Sequence, residues 1–509
     1  MSVFKAESQT TDNNLLNCGN QKAAMQDRVM AVGRKWCALL LALPLFTYLF
    51  LPTRNFYWDG IAFAINIEKH LPPAALIHPN HFAYTLWGAW LYSLSETAGI
   101  HTRALFVMQA ANSLLAGLCV ILLYRCLRLR NVPVTLGVPA ALVFGFSATW
   151  WRFATDANAY IPSIFLLLCT YVLIEYPRVT VLAGLAQAGA MLFHELAFLF
   201  LPVVLLRLRK SRRSMLAFTA SALIPVAASY LAGYRAVSND ATITGLCSWI
   251  TSRSSDSAFS FDPLTNAALS LRGTFRLLFG GRLSYFAGDG QSKTVLAVLI
   301  IATVSFLLCL WRAVRGRDEV SFPPHHLLAW MSVYAAFLFF WMPQNTFYRL
   351  FYLPPLIAIL ATMLRHAPMT RIVVWLFVPV LSLWNFVFLV YPESRSEFNV
   401  PLRFGLAQQN AWPPGTPIMF HRFHPDLWTI SYFNQQAAWI GIEQPDLNEL
   451  ERNLEYARSE RKPLWLEATA YDLIAANPEG RRWLAMHERP GELRKFRDKK
   501  HEFRFHCVR

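Results

Sequence analysis

VTVLAGLAQAGAMLFHELAFLFLPVVLLRLRKSRR, residues 179–213, decides the fold. As one helix, positions 179–206 would be about 42 Å long at 1.5 Å per residue, more than the roughly 30 Å of a bilayer core. That helix would also deliver the cluster Arg207, Arg209, Lys210, Arg212 and Arg213 to the wrong side. Basic loops collect on the cytoplasmic face, and the other clusters set the parity: Arg34-Lys35, Arg125/Arg128/Arg130, Arg312/Arg315/Arg317 and Arg365/Arg371. The parity is kept if the chain breaks at His194-Glu195 into two short helices. Broken helices at membrane depth usually line a cavity.

Working outward from this break, the apolar runs give about eleven crossings. They lie at 36–52, 104–124, 132–151, 158–176, 179–193, 196–206, 214–233, 294–311, 325–341, 347–364 and 372–391. Residues 81–98 are left out, because a crossing there would invert everything that follows. Tyr84, Trp87, Trp90 and Tyr92 make that segment an amphipathic helix at the outer interface. Outer loops are expected at 53–103 and 234–293. A cytoplasmic tail of residues 1–35 precedes the first crossing, which reads as an uncleaved anchor.

Composition agrees. Of 509 residues, 55 % are hydrophobic and only 15 % charged, against about a quarter charged in soluble domains. The 38 Phe, 17 Trp and 18 Tyr exclude wholesale disorder. The net charge of +16 sits in short loops, so it does not indicate a nucleic-acid partner. Charge density rises sharply after residue 391: 45 charged residues occupy 1–391 and 33 occupy 392–509. The fold class is therefore an α-helical polytopic membrane protein with a small C-terminal α/β domain, 392–509, outside the cytoplasm. Strands are expected at Pro417–Phe423, Leu464–Ala468 and His501–Val508, and helices at Trp428–Trp439 and Asn448–Glu460. The eight cysteines are scattered and form no metal or disulfide framework.

The unusual polar residues gather on the outer side. The first outer loop carries Asp59, His78 and His81. The third crossing ends in TWWRFATDANAY, with Asp156 and Tyr160; the helix break supplies His194 and Glu195; WMPQNTFYRLF supplies Gln344, Tyr348 and Arg349. Ionisable groups at membrane depth are costly and usually functional. Bland alternatives stand beside this reading. Asp59 could cap a helix, Asp156 could pair with Arg152 at i, i+4, and Arg349 could snorkel to headgroups. His78 and His81 with a carboxylate could hold a divalent metal, although no metal ligand set is assigned and no cofactor is expected.

The order of these motifs resembles the GT-C superfamily of integral-membrane glycosyltransferases, closest to protein O-mannosyltransferase-like and aminoarabinose-transferase-like proteins. The features are YWDG with Asp59, HPNHFAYTLWGAWLYSL with His78 and Pro79, LLYRCLRLR, ATDANAYIPSIFLLL with Asp156 and Tyr160, LFHELAFLFLP with His194, and FYRLFYLPPL with Arg349. The likeness spans about 36–391. Gly60 departs from it, because many relatives carry a second acidic residue there.

The resemblance implies a sugar donor carried on polyprenyl phosphate, and an extracytoplasmic acceptor that is protein, lipid or glycan. It implies an inverting displacement at the outer face of the inner membrane, with membrane lipid as surroundings. Asp59 would be the general base and Arg349 would hold the donor phosphate. His78, His81, Asp156, Tyr160, His194, Glu195, Gln344 and Tyr348 would bind substrate. The alternatives are a lipid or glycolipid transporter and a non-catalytic envelope assembly protein.

Overall fold

The computed structural model describes residues 37–238, 242–251, 259–282, 322–366, 368–443, 446–498 and 501–509, with Lys35 and single positions between 294 and 311. Apart from those positions, the expected N-terminal tail and the crossing at 294–311 lie outside the described residues.

The decisive stretch does break. A helix over Thr180–Phe193 ends at His194, a 3₁₀ turn runs over Glu195–Phe200, and a helix follows over Leu201–Leu208. The chain folds back here. Gln187 Nε2 donates to the Ala197 carbonyl at 2.8 Å, and Arg207, in the last turn of the second arm, meets Glu175, ahead of the first, at 3.1 Å.

Glu175 also pairs with Arg130. Arg365 donates to the Arg130 carbonyl at 3.2 Å, and Arg371 to the Arg365 carbonyl at 3.4 Å. Three basic clusters distant in sequence therefore converge on one end of the bundle.

Among the described residues, helices Ala104–Leu129, Arg212–Val237 and Arg371–Glu393 are long and apolar enough to cross a membrane. Val134–Phe146 and Ala148–Ala154 pass together as a pair bent by 65°. Among the described residues, length and composition by themselves thus support three crossings, or four with the bent pair. The apolar helices Tyr160–Leu173, His325–Phe340 and Leu353–Leu364 fall where crossings were expected, but at 14, 16 and 12 residues they measure about 18–24 Å and are short of the roughly 30 Å hydrocarbon. The helix expected at the interface spans Tyr84–Thr97, and it buries only Tyr84, Thr85 and Gly88.

At the 65° bend Ser147 is extended, which frees backbone groups in a buried place. Asn385 resolves this: its amide donates to the carbonyls of Phe146 at 2.8 Å and Leu278 at 2.7 Å, and its oxygen accepts from Gly280 N at 3.1 Å. Irregular backbone at such depth persists only when the protein satisfies it.

The C-terminal domain holds a five-stranded sheet of order β2-β1-β3-β5-β4. The strands are β1 (Pro417–His421), β2 (Ala438–Ile442), β3 (Leu464–Glu467), β4 (Glu488–Asp498) and β5 (His501–Val508). β1 runs parallel to β2 and β3, while β5 is antiparallel to β3 and β4. The helix expected at Trp428–Trp439 spans Pro425–Phe433 and stops at the buried Asn434. The following AWIGI then extends into β2, and β4 was not anticipated at all. Helix Leu447–Ser459 falls close to its expected place.

Candidate active site

The site is built on the helix Trp58–Glu68, which places Asp59 in its first turn. No side chain caps this helix. Instead the buried Asp156, 2 % exposed, fixes its start: Oδ2 accepts from Tyr57 N at 2.7 Å, and Oδ1 accepts from Ala157 N at 2.8 Å. Asp156 does not pair with Arg152, which meets Glu393 at 3.4 Å.

The loop carrying Asp156 is irregular and buried. Its carbonyls are satisfied by one polar stripe of helix Ala104–Leu129. Gln109, Asn112 and Ser113 stand at i, i+3 and i+4, on one face. Gln109 donates to Thr53 and Thr155, Asn112 to Asp156 and Asn158, and Ser113 to Ala154, all at 2.8–3.1 Å.

Gly60 lies against this loop. A Cβ there would sit 2.3 Å from the Ala157 carbonyl oxygen. A second acidic residue, as in the relatives the sequence resembles, has no room in this packing.

Asp59 is half-buried and faces phenols. Tyr57, Tyr160 and Tyr348 all feel its charge, and Tyr57 and Tyr160 bring their hydroxyls within 3.4 Å of each other. Burial raises the Asp59 carboxyl to about 7, and only a hydrogen bond from Tyr57 opposes this. Asp156 is likewise raised to about 7, by burial first, against its two backbone N–H bonds and Arg152.

Imidazoles and rings form the rest of the wall. The His194 ring centroid lies 4.8 Å from those of His81 and Tyr160, and 5.8 Å from that of Tyr348. His78 stacks on His81 at 5.8 Å. His78 Nδ1 accepts from Asn80 N at 3.3 Å, and His194 Nδ1 accepts from Leu196 N at 3.1 Å, so each caps the turn it opens. Burial lowers His81 to about 3, with His78 adding to the effect, so His81 is neutral. His194 is 1 % exposed, and its Nε2 has no hydrogen-bond partner.

Asp59, His78, His81, Tyr160, His194 and Tyr348 thus come together from four distant segments. Glu195 and Gln344 are exposed; Glu195 is near enough to Tyr348 to influence it, and among the described residues no hydrogen bond or ion pair joins Gln344 to the other site residues.

Arg349 stands apart. It is 2 % exposed, and its guanidinium is consumed by the protein: Nε donates to the Asn345 carbonyl at 3.0 Å, one terminal nitrogen to Tyr352 Oη at 2.6 Å, the other to the Pro343 carbonyl at 2.5 Å. Gly273 packs so closely that a Cβ there would lie 2.4 Å from Arg349 Nε. Arg349 neither snorkels nor opens toward Asp59; it braces the 343–352 turn that presents Tyr348.

Two parts of the site had no signal in the motifs. Tyr57 was visible only as a neighbour of Asp59 in YWDG. The Gln109/Asn112/Ser113 stripe could have been found as three polar residues on one face of an otherwise apolar helix. Among the described residues no group of three His, Cys, Asp or Glu gathers as a metal site.

The chain is similar in fold to solved transferase structures. One is the Archaeoglobus fulgidus oligosaccharyltransferase in complex with Zn and sulfate, 12 % identical, TM-score 0.47, with 92 % of this chain and 73 % of that one covered. Another is ArnT from Cupriavidus metallidurans bound to undecaprenyl phosphate, 11 % identical, TM-score 0.45, covering 93 % and 98 %. A third is the S. cerevisiae protein O-mannosyltransferase complex bound to the sugar donor, 16 % identical, TM-score 0.33, covering 40 % and 34 %. No protein-family model and no curated protein sequence matches the chain.

Proposed function

We propose that this chain is a membrane glycosyltransferase that moves a sugar from a polyprenyl-phosphate carrier to an acceptor hydroxyl at the outer face of the inner membrane. The observation that carries the reading is the half-buried Asp59 carboxylate, pushed up to about 7 and facing the phenols of Tyr57, Tyr160 and Tyr348, with the His81 and His194 rings packed behind Tyr160. A carboxylate near neutrality is suited to take a proton from a hydroxyl at physiological pH. Flat rings with polar edges suit a sugar, which has apolar faces and a hydroxyl rim.

In the transfer, the acceptor oxygen bonds to the anomeric carbon as the bond from that carbon to the phosphate oxygen breaks. The electron pair leaves with the phosphate, and Asp59 takes the acceptor proton. One displacement inverts the anomeric centre, as when a single carboxylate activates water in one-step glycoside hydrolysis. The negative charge developing on the phosphate needs hydrogen-bond donors aimed at it. The donors this site offers are phenols and neutral imidazoles. Arg349, for which the resemblance implies a phosphate role, is given a bracing one instead, because it is buried and each of its three guanidinium nitrogens already holds a protein acceptor.

The test is Asp59→Asn, assayed in membranes at equal protein level with a panel of undecaprenyl-phosphate sugars. Transfer falls about 10²–10⁴-fold if Asp59 is the base. Full activity in that variant would overturn the assignment.

A further inference from the structure

The far end of the Asp59 helix is tied to the C-terminal domain. Glu68, its last residue, receives donors from two other parts of the chain. Arg103 Nε approaches both Glu68 oxygens, at 3.0 and 2.9 Å, and Ala104 N donates to Oε1 at 2.9 Å. From the C-terminal domain, Tyr432 Oη donates to Oε1 at 2.5 Å and Gln435 Nε2 to Oε2 at 3.1 Å. Arg103 in turn lies 3.9 Å over the Tyr432 ring and donates to the Tyr432 carbonyl at 3.0 Å. Apolar packing surrounds the knot: Phe56, Ile61, Ala64 and Ile67 cluster with Leu105, Leu402, Tyr432 and Phe433.

We infer that the C-terminal domain sets the position of Asp59 through Glu68, a positioning residue held by Arg103, Tyr432 and Gln435. The inference rests on the proposed role of Asp59. A rigid helix of 11 residues, about 16 Å long, transmits movement from one end to the other. Its start is anchored by Asp156 and its end by Glu68, so the C-terminal domain supplies part of one of its two anchors. Charge-assisted bonds such as these are the stronger kind, and the carboxylate is only 11 % exposed. The domain therefore acts as a brace for the reacting carboxylate.

Two sets of variants test this in the full-length protein. Glu68→Ala removes the knot. The double variant Tyr432→Phe with Gln435→Ala removes only the domain's share, and it keeps the test decisive if Glu68→Ala fails to fold. Hydrogen exchange of residues 58–68 is measured first, and it rises about tenfold in the double variant while the middle of helix 104–129 keeps its protection. Transfer from the same undecaprenyl-phosphate sugars then shows kcat falling about 10- to 100-fold with KM within twofold, since a misplacement of about 1 Å can cost that much.

The acid limb of the pH profile also moves down, on the order of one pH unit, because a loosened helix admits water to Asp59. The groups facing Asp59 are Tyr57, Tyr160 and Tyr348, and none is a cation. A simple loss of folded protein would lower the amplitude and leave the limb in place. Unchanged exchange at 58–68, or an unmoved limb in a folded double variant, overturns the inference. Raised exchange together with full activity of Asp59→Asn leaves the brace standing and removes the transferase reading instead.

Discussion

Gly60→Ala tests the close contact on which the Asp59 geometry depends. The added methyl carbon would lie 2.3 Å from the Ala157 carbonyl oxygen and 3.0 Å from the Ala157 Cβ. An ordinary carbon–oxygen contact needs about 1 Å more. The loop cannot yield by that amount, because Asn112 and the Asp156 carboxylate pin the backbone on either side of Ala157. The helix must therefore move, and the 2.7 Å bond from Tyr57 N to Asp156 stretches beyond hydrogen-bonding range.

Overpacking costs about 1–3 kcal/mol. Losing a bond to a carboxylate costs about as much. The two overlap, because moving the helix relieves one at the expense of the other, so the net cost is about 2–4 kcal/mol. A displacement near 1 Å at the base lowers transfer about 100-fold. Thermal unfolding in detergent and sugar transfer at equal protein level measure both effects. A Gly60→Ala protein with wild-type unfolding temperature and wild-type transfer would refute the close approach and the positioning argument with it.

Three more outcomes are expected. Arg349→Ala leaves the carbonyls of Pro343 and Asn345 and the Tyr352 hydroxyl without their donor in a buried place, so it lowers stability by about 3 kcal/mol; a variant that loses transfer while unfolding at the wild-type temperature would restore a direct ligand role. Transfer falls about tenfold per pH unit below about 7, as Asp59 becomes protonated. Stability moves in the opposite sense. Asp59 and Asp156 hold protons more tightly folded than unfolded, so their contribution to stability is fully present below about pH 4 and is lost as pH rises through about 7. Asp59→Asn should reduce that slope in thermal unfolding measured across this pH range.

Much of the helical order was legible because a bilayer demands long apolar runs and one-sided charge, and both are written locally. The break at His194 could be read because a His-Glu pair cannot lie mid-helix in lipid without a partner, and the return of Arg207 to Glu175 is what parity required. Arg349 illustrates the limit. A guanidinium flanked by aromatics looks alike whether it faces a phosphate or its own backbone. Only the 3₁₀ geometry of Tyr348–Phe351 and the approach of Gly273 distinguish the two. Asp156 is similar, since its partner Tyr57 N lies 99 residues away. The strand β2 was hidden because AWIGI is short and follows a helix directly, so apolar content alone extended the helix across it.

The helix Ala104–Leu129 has a consequence for the surrounding lipid. Arg103 opens it beside Glu68, and Arg130 closes it beside Glu175. Its 26 residues keep those two ionic knots about 39 Å apart. A hydrocarbon layer of roughly 30 Å fits between them with margin for headgroups. The spacing of the two knots is thus set by a stiff internal strut, so a membrane much thicker or thinner than this must tilt the helix or deform around it.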